Sequence, residues 1–95
     1  MQTIIFDKKV EKYLNKQAKG DPKGIYEVIV FIEDILAKSN NPTLLKSAEK
    51  MQGQWKNLGN FWRWKAGNYR ILGDVKSDYL VIHIIKIGQR ENFYQ

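Results

Sequence analysis

The sequence contains no cysteine. Disulfides, thiolate metal sites and cysteine nucleophiles are therefore excluded. Its one histidine, His83, argues against a histidine-built zinc centre. Long apolar runs are also missing. The longest, Ile25 to Leu36, is broken by Glu27, Glu33 and Asp34, and is too short and too charged to span a bilayer. The opening MQTIIFDKKV lacks the apolar core and small-residue cleavage site of a signal peptide, so a cytoplasmic location is expected. Gly53, Gly59 and Gly67 are too scattered to form a phosphate-cradling loop. Glu11, Glu27, Glu33 and Asp34 sit at helical spacings that suit surface ion pairs, and no two of them resemble a catalytic carboxylate pair. No internal repeat, low-complexity tract or linker is visible.

What is present is positive charge on a foldable chain. Sixteen Lys and Arg stand against ten Asp and Glu, a formal net charge of +6 over 95 residues. That excess points to an anionic partner: nucleic acid, an acidic protein or an anionic membrane. A hydrophobic content of 43%, with 13% aromatics, predicts one globular domain and not a disordered tail.

Local patterns predict an α+β chain. Gln2 to Phe6 is short and β-branched, and predicts a first strand. Asp7 is a plausible N-cap for a helix from about Lys8 to Lys19, stopped by Gly20, with Val10, Tyr13 and Leu14 on its apolar face. Asp21-Pro22 restarts the chain as N-cap and first helical residue. Ile25, Val28, Ile29, Ile32, Ile35 and Leu36 then repeat with helical period, until Asn40-Asn41-Pro42 ends the run. Thr43 to Asn60 predicts a loop or short helical turn with Leu44, Leu45 and Met51 buried, then an irregular approach to the sheet near Gln54 to Lys56. Strands are expected at Phe61–Ala66, Tyr69–Gly73 and Tyr79–Ile87, with a polar turn over Asp74–Asp78 and Gly88 as the end of the last strand. That last segment is apolar on both faces, as a central strand covered on both sides would be. The expected order is β-α-α-β-β-β: a twisted, mainly antiparallel sheet with two helices on one face.

The sharpest chemistry lies between Phe61 and Gln95. A hairpin folded about Gly67-Asn68 sets Ala66 against Tyr69, Lys65 against Arg70, Trp64 against Ile71 and Arg63 against Leu72. Alternation then puts Arg63, Lys65 and Arg70 on one face, and Trp62, Trp64, Tyr69 and Ile71 on the other. One face reads as core and the other as a cationic platform, with Arg90 and Tyr94 able to reach its rim. Alone, Arg63 and Lys65 mean little, since basic residues on a solvated strand are common. Trp62 and Trp64 read as core, Trp55 as a sheet cover or partner contact, and His83 as a packed, hydrogen-bonded core histidine. The lysines of the first helix, Lys8, Lys9, Lys12, Lys16 and Lys19, fit a solvated face and ribosomal RNA contact equally well.

WRWKAGNYRIL at Trp62–Leu72, followed by an apolar strand and IGQRENFY at Ile87–Tyr94, resembles the RelE/ParE superfamily of bacterial toxins. The shared pattern is aromatic, basic, hydrophobic, basic, a short Gly turn, Tyr-Arg, then a late Gly-x-Arg and a near-terminal Tyr. The resemblance implies a toxin of a type II toxin–antitoxin pair, held by a cognate antitoxin, with ribosome and mRNA as targets and no cofactor or metal. The ending is closer to the RNA-cleaving branch than to the gyrase-poisoning one. It carries Arg63, Lys65, Arg70, Arg90 and Tyr94 over as site residues. Cleavage by 2′-hydroxyl attack needs a base, stabilised phosphate charge and help for the leaving oxygen. Arg63 and Arg70 are expected to clamp the phosphate. Lys65, beside Arg70, is the best available base, because neighbouring cations disfavour a further positive charge. Arg90 serves the leaving group electrostatically, and Tyr94 stacks on a base or orients the hydroxyl. Two alternatives stay open: a gyrase inhibitor of the same fold, and a non-catalytic RNA-binding module.

Overall fold

The computed structural model describes residues 1–52, 59–76 and 80–93. Its elements run β1 (Thr3–Phe6), α1 (Lys8–Gly20), α2 (Pro22–Val30), β2 (Ala48–Lys50), β3 (Phe61–Ala66), β4 (Tyr69–Lys76) and β5 (Val81–Gln89). Two aspartates organise the helices. The Asp7 side chain accepts from the Lys9 N–H and starts α1. Asp21 both closes α1 and opens α2. Its N–H donates to the Gln17 carbonyl oxygen, and its carboxylate accepts from the Gly24 N–H at 3.1 Å. Beyond Val30 the helix widens into a π-helical turn, Phe31–Leu36, where the Ala37 N–H reaches back five residues to Ile32.

The sheet order is β1-β5-β4-β3-β2. β1 runs parallel to β5, and every other pairing is antiparallel. The hairpin register is the expected one: Ala66 faces Tyr69, Lys65 faces Arg70, Trp64 faces Ile71 and Arg63 faces Leu72. Gly67 takes φ +61° in the loop, a conformation that favours glycine. Trp64, Ala66, Tyr69, Ile71, Val75, Ile82, Ile84 and Ile87 pack against Val10, Leu14, Ile25, Val28, Ile32 and Leu36 to form the main core. Trp64 is fully buried, and its indole N–H is satisfied by the Pro42 carbonyl oxygen at 2.9 Å.

The second face is not uniformly wet. Met51, Leu72 and Phe93 are buried together there, with Phe61 and Ile85 against them. A bulge between the Leu72–Lys86 and Gly73–Ile84 pairs inserts Ile85 as an extra residue in β5. This lets one strand serve both apolar clusters.

Several sequence-based boundaries change. The short strand β2 falls inside the segment expected to be loop or helical turn. Its Ala-Glu-Lys composition has little strand propensity, so only pairing with β3 specifies it. The expected helical turn is there too, at Pro42–Leu44. β4 runs through Asp74 to Lys76, where a polar turn was expected, because β5 pairs it to the end. β5 starts at Val81 and carries on past Gly88 to Gln89. Leu44 and Ile35 are exposed, not buried. Leu44 ends the short Pro42–Leu44 turn with its side chain outward. Ile32 and Leu36 take the core positions of the widened turn, which leaves Ile35 outside. Tyr79, Trp55 and the Gln54–Lys56 approach lie outside the described residues.

Candidate active site

Strand register gathers the cationic residues into rows across the second face. One row runs Lys65–Arg70–Gly88 through β3, β4 and β5, and the next runs Glu49–Arg63–Leu72–Lys86 from β2 to β5. A third, beyond the bulge, sets Phe61, Asp74, His83 and Ile5 in line. The chain leaves β5 in a short 3-10 turn, Arg90–Asn92. The Arg90 N–H donates to the Asn68 carbonyl oxygen at 2.7 Å, which ties the C-terminal turn to the hairpin loop. The backbones of Lys65, Arg70 and Arg90 therefore stand at one corner of the sheet, with Arg63 one row away.

Their surroundings differ. Arg70 is only 9% exposed. Its Nη1 donates to the carbonyl oxygens of Gly67, at 3.1 Å, and of Tyr69, at 3.0 Å. This guanidinium props the tight turn from within, so it is less solvent-facing than expected. Arg63 meets Glu49 of β2, Nη2 to Oε2 2.6 Å, an ion pair across a strand missed in the sequence. Lys65 is exposed and lines an open groove of about 300 Å³ beside Tyr26, Phe31 and Ile35. Arg90 is exposed on its turn. Tyr94 lies outside the described residues.

His83 is half-buried on the second face, opposite Asp74 and Ile5, and not in the helix-side core. Asp74 accepts from the Asn60 N–H at 3.1 Å and lies 3.6 Å from the Lys76 ammonium. On the helix side, the Tyr69 hydroxyl donates to Asp21 Oδ2 at 2.8 Å and accepts from Gln17 Nε2 at 3.1 Å. Burial pushes this phenol above its ordinary range, and the Asp21 carboxylate adds to the rise. Sequence reasoning passed over Lys86, whose ammonium donates to the Phe93 carbonyl oxygen and lies 5.0 Å from the Phe93 ring centroid. A signal existed: Lys86 is the one formally charged residue in β5.

A cationic corner of this kind can hold a phosphate and offset negative charge that builds up in a transition state. Among the described residues, no three His, Cys, Asp or Glu side chains come together as metal ligands.

No protein-family model matches the sequence, and no curated protein matches it. Solved structures do. The chain is similar to RelE of the archaeal RelE–RelB complex of Pyrococcus horikoshii OT3, at 25% identity and TM-score 0.67, over 96% of this chain and 97% of that one. It is also similar to the RelB–RelE antitoxin–toxin complex of Methanococcus jannaschii, at 28% identity and TM-score 0.65, over 95% and 94%. The toxin–antitoxin complex RelBE2 of Mycobacterium tuberculosis shares the fold at 18% identity and TM-score 0.68, over 94% and 98%. With two helices on a mixed five-stranded sheet and these likenesses along nearly its whole length, the chain is a RelE-like toxin in fold.

Proposed function

We propose that this chain is the toxin of a type II toxin–antitoxin pair and cleaves mRNA on the ribosome without a metal. The observation that supports this reading is that the β3–β4–β5 register and the Arg90–Asn68 backbone hydrogen bond bring the backbones of Lys65, Arg70 and Arg90 to the hairpin corner. Arg63 and Arg90 bear on the phosphate, Arg90 from the leaving-group side. Lys65, exposed at the corner, takes the 2′-hydroxyl proton as its neutral amine. Arg70 shapes the turn that presents Lys65 and adds charge beneath the phosphate. Tyr94 stacks on a base. None of these groups is a strong acid or base at neutral pH, so positioning of the mRNA by the ribosome supplies much of the rate. The natural partner is an antitoxin in the manner of RelB, and the site of action is the cytoplasm.

Primer extension on mRNA carried by translating ribosomes tests the proposal. The wild-type protein is expected to give discrete breaks at the ribosomal A site, and Arg90→Ala or Lys65→Ala to remove them while leaving the melting temperature unchanged. Arg70→Ala should also lose cleavage, but with a stability loss of about 1–3 kcal/mol, because two turn carbonyls lose their buried donor. Uncut mRNA together with double-strand DNA breaks would favour a gyrase poison, and neither product a binding module. Full activity in Arg90→Ala would remove the assignment.

A further inference from the structure

Lys86 occupies an unusual place for a lysine. It lies in β5, an inner strand of the sheet flanked by β1 and β4, opposite Leu72, which is 1% exposed. Its ammonium turns to the segment that follows β5. There it donates to the Phe93 carbonyl oxygen and lies over the Phe93 ring. Phe93 is itself 2% exposed and packs on Leu72 and Met51. The ring also passes close to Gly88, within 3.7 Å of where a Cβ would stand. An apolar residue at position 86 could supply packing. It could not supply a charge-assisted bond to a main-chain oxygen or a cation over an aromatic face.

The two Lys86 contacts fall between the groups assigned to the chemistry. Arg90 is anchored upstream by its bond to Asn68, and Phe93 directly precedes Tyr94. We propose that Lys86 is a positioning residue. It latches Phe93 onto the second face, so that Arg90, three residues earlier, is held against the Lys65–Arg70 corner. The inference rests on the reading of Arg90 as a working group. It assigns Lys86 no contact with RNA.

The test compares Lys86→Met with Lys86→Arg. Methionine keeps the length and apolar stem and loses the donor. Arginine keeps both the donor and the charge. Single-turnover cleavage on programmed ribosomes should fall between about tenfold and a hundredfold in Lys86→Met, as displaced catalytic groups do, and recover most of the way in Lys86→Arg. Ribosome affinity, and its slope against salt, should match the wild type in both. Amide hydrogen exchange in residues 90–93 should speed up in Lys86→Met alone, while β3 and β4 keep their protection. Unchanged cleavage in Lys86→Met overturns the latch, and so does unchanged exchange. Weaker ribosome binding with a shallower salt slope overturns it too, because Lys86 would then be a phosphate contact. If the wild-type protein cuts no mRNA, the nuclease reading falls and exchange alone decides the latch.

Discussion

Arg63 and Arg70 show how little a residue's identity says about its freedom to act. Both are arginines on the same sheet face, yet one is matched by a carboxylate and the other is folded under a turn. Parity alone placed them on that face correctly. Their partners were out of reach of sequence reasoning, because Glu49 arrives on a strand with no strand-like composition and Gly67 and Tyr69 offer only carbonyls. Glu49 is a competitor for any phosphate at Arg63. Its side chain is 60% exposed, so the pair contributes less than about 1 kcal/mol to stability. Glu49→Gln should leave the urea midpoint almost unmoved. It should also tighten RNA binding at low salt and steepen the plot of log affinity against log salt by nearly one ion. Binding that weakens would mean that Glu49 serves to hold Arg63 in a productive pose.

Helix α2 and its continuation illustrate the limits of periodicity. The 3.6-residue count put Ile32, Ile35 and Leu36 in one stripe, but the widened turn buries Ile32 and Leu36 and leaves Ile35 45% exposed. A π-helical turn has no composition signature that sequence spacing can detect, since it trades one hydrogen-bond reach for another within the same residues. Ile32→Ala should therefore cost about 2–5 kcal/mol, and Ile35→Ser no more than about 0.5 kcal/mol. Equal losses in chemical denaturation would put Ile35 back in the core. Elements with strong local punctuation were legible. Asp7, Asp21-Pro22 and Gly67-Asn68 all stand where caps and a hairpin loop occur, because each supplies a bond or a φ that its position demands. Boundaries set by pairing were not, as β2 and the far end of β4 show.

At the scale of the whole molecule, Tyr69 joins the layers. It stands on β4, and its hydroxyl holds Gln17 of α1 and the Asp21 cap of α2 together. Ionising that phenol would set a phenolate in the core beside a carboxylate, and its folded-state pKa is accordingly raised, by burial first. Burial raises Tyr13 as well. A raised folded value means that the stabilisation is intact below the unfolded pKa of about 10 and drains away as pH climbs through the folded one. Unfolding free energy should thus be flat from neutral pH to about 9.5 and fall above it. Tyr69→Phe should lose about 1–2 kcal/mol at pH 7 and show a gentler alkaline decline. An identical decline in the variant would clear Tyr69 of the effect. The sheet order carries a further consequence for how the chain is made. β1, residues 3–6, can form its ladder only with residues 81–84, and β5 also flanks β4. Such distant pairing makes folding wait on synthesis. Until β5 clears the exit tunnel, a nascent copy has neither its β1 ladder nor the corner that carries Lys65, Arg70 and Arg90.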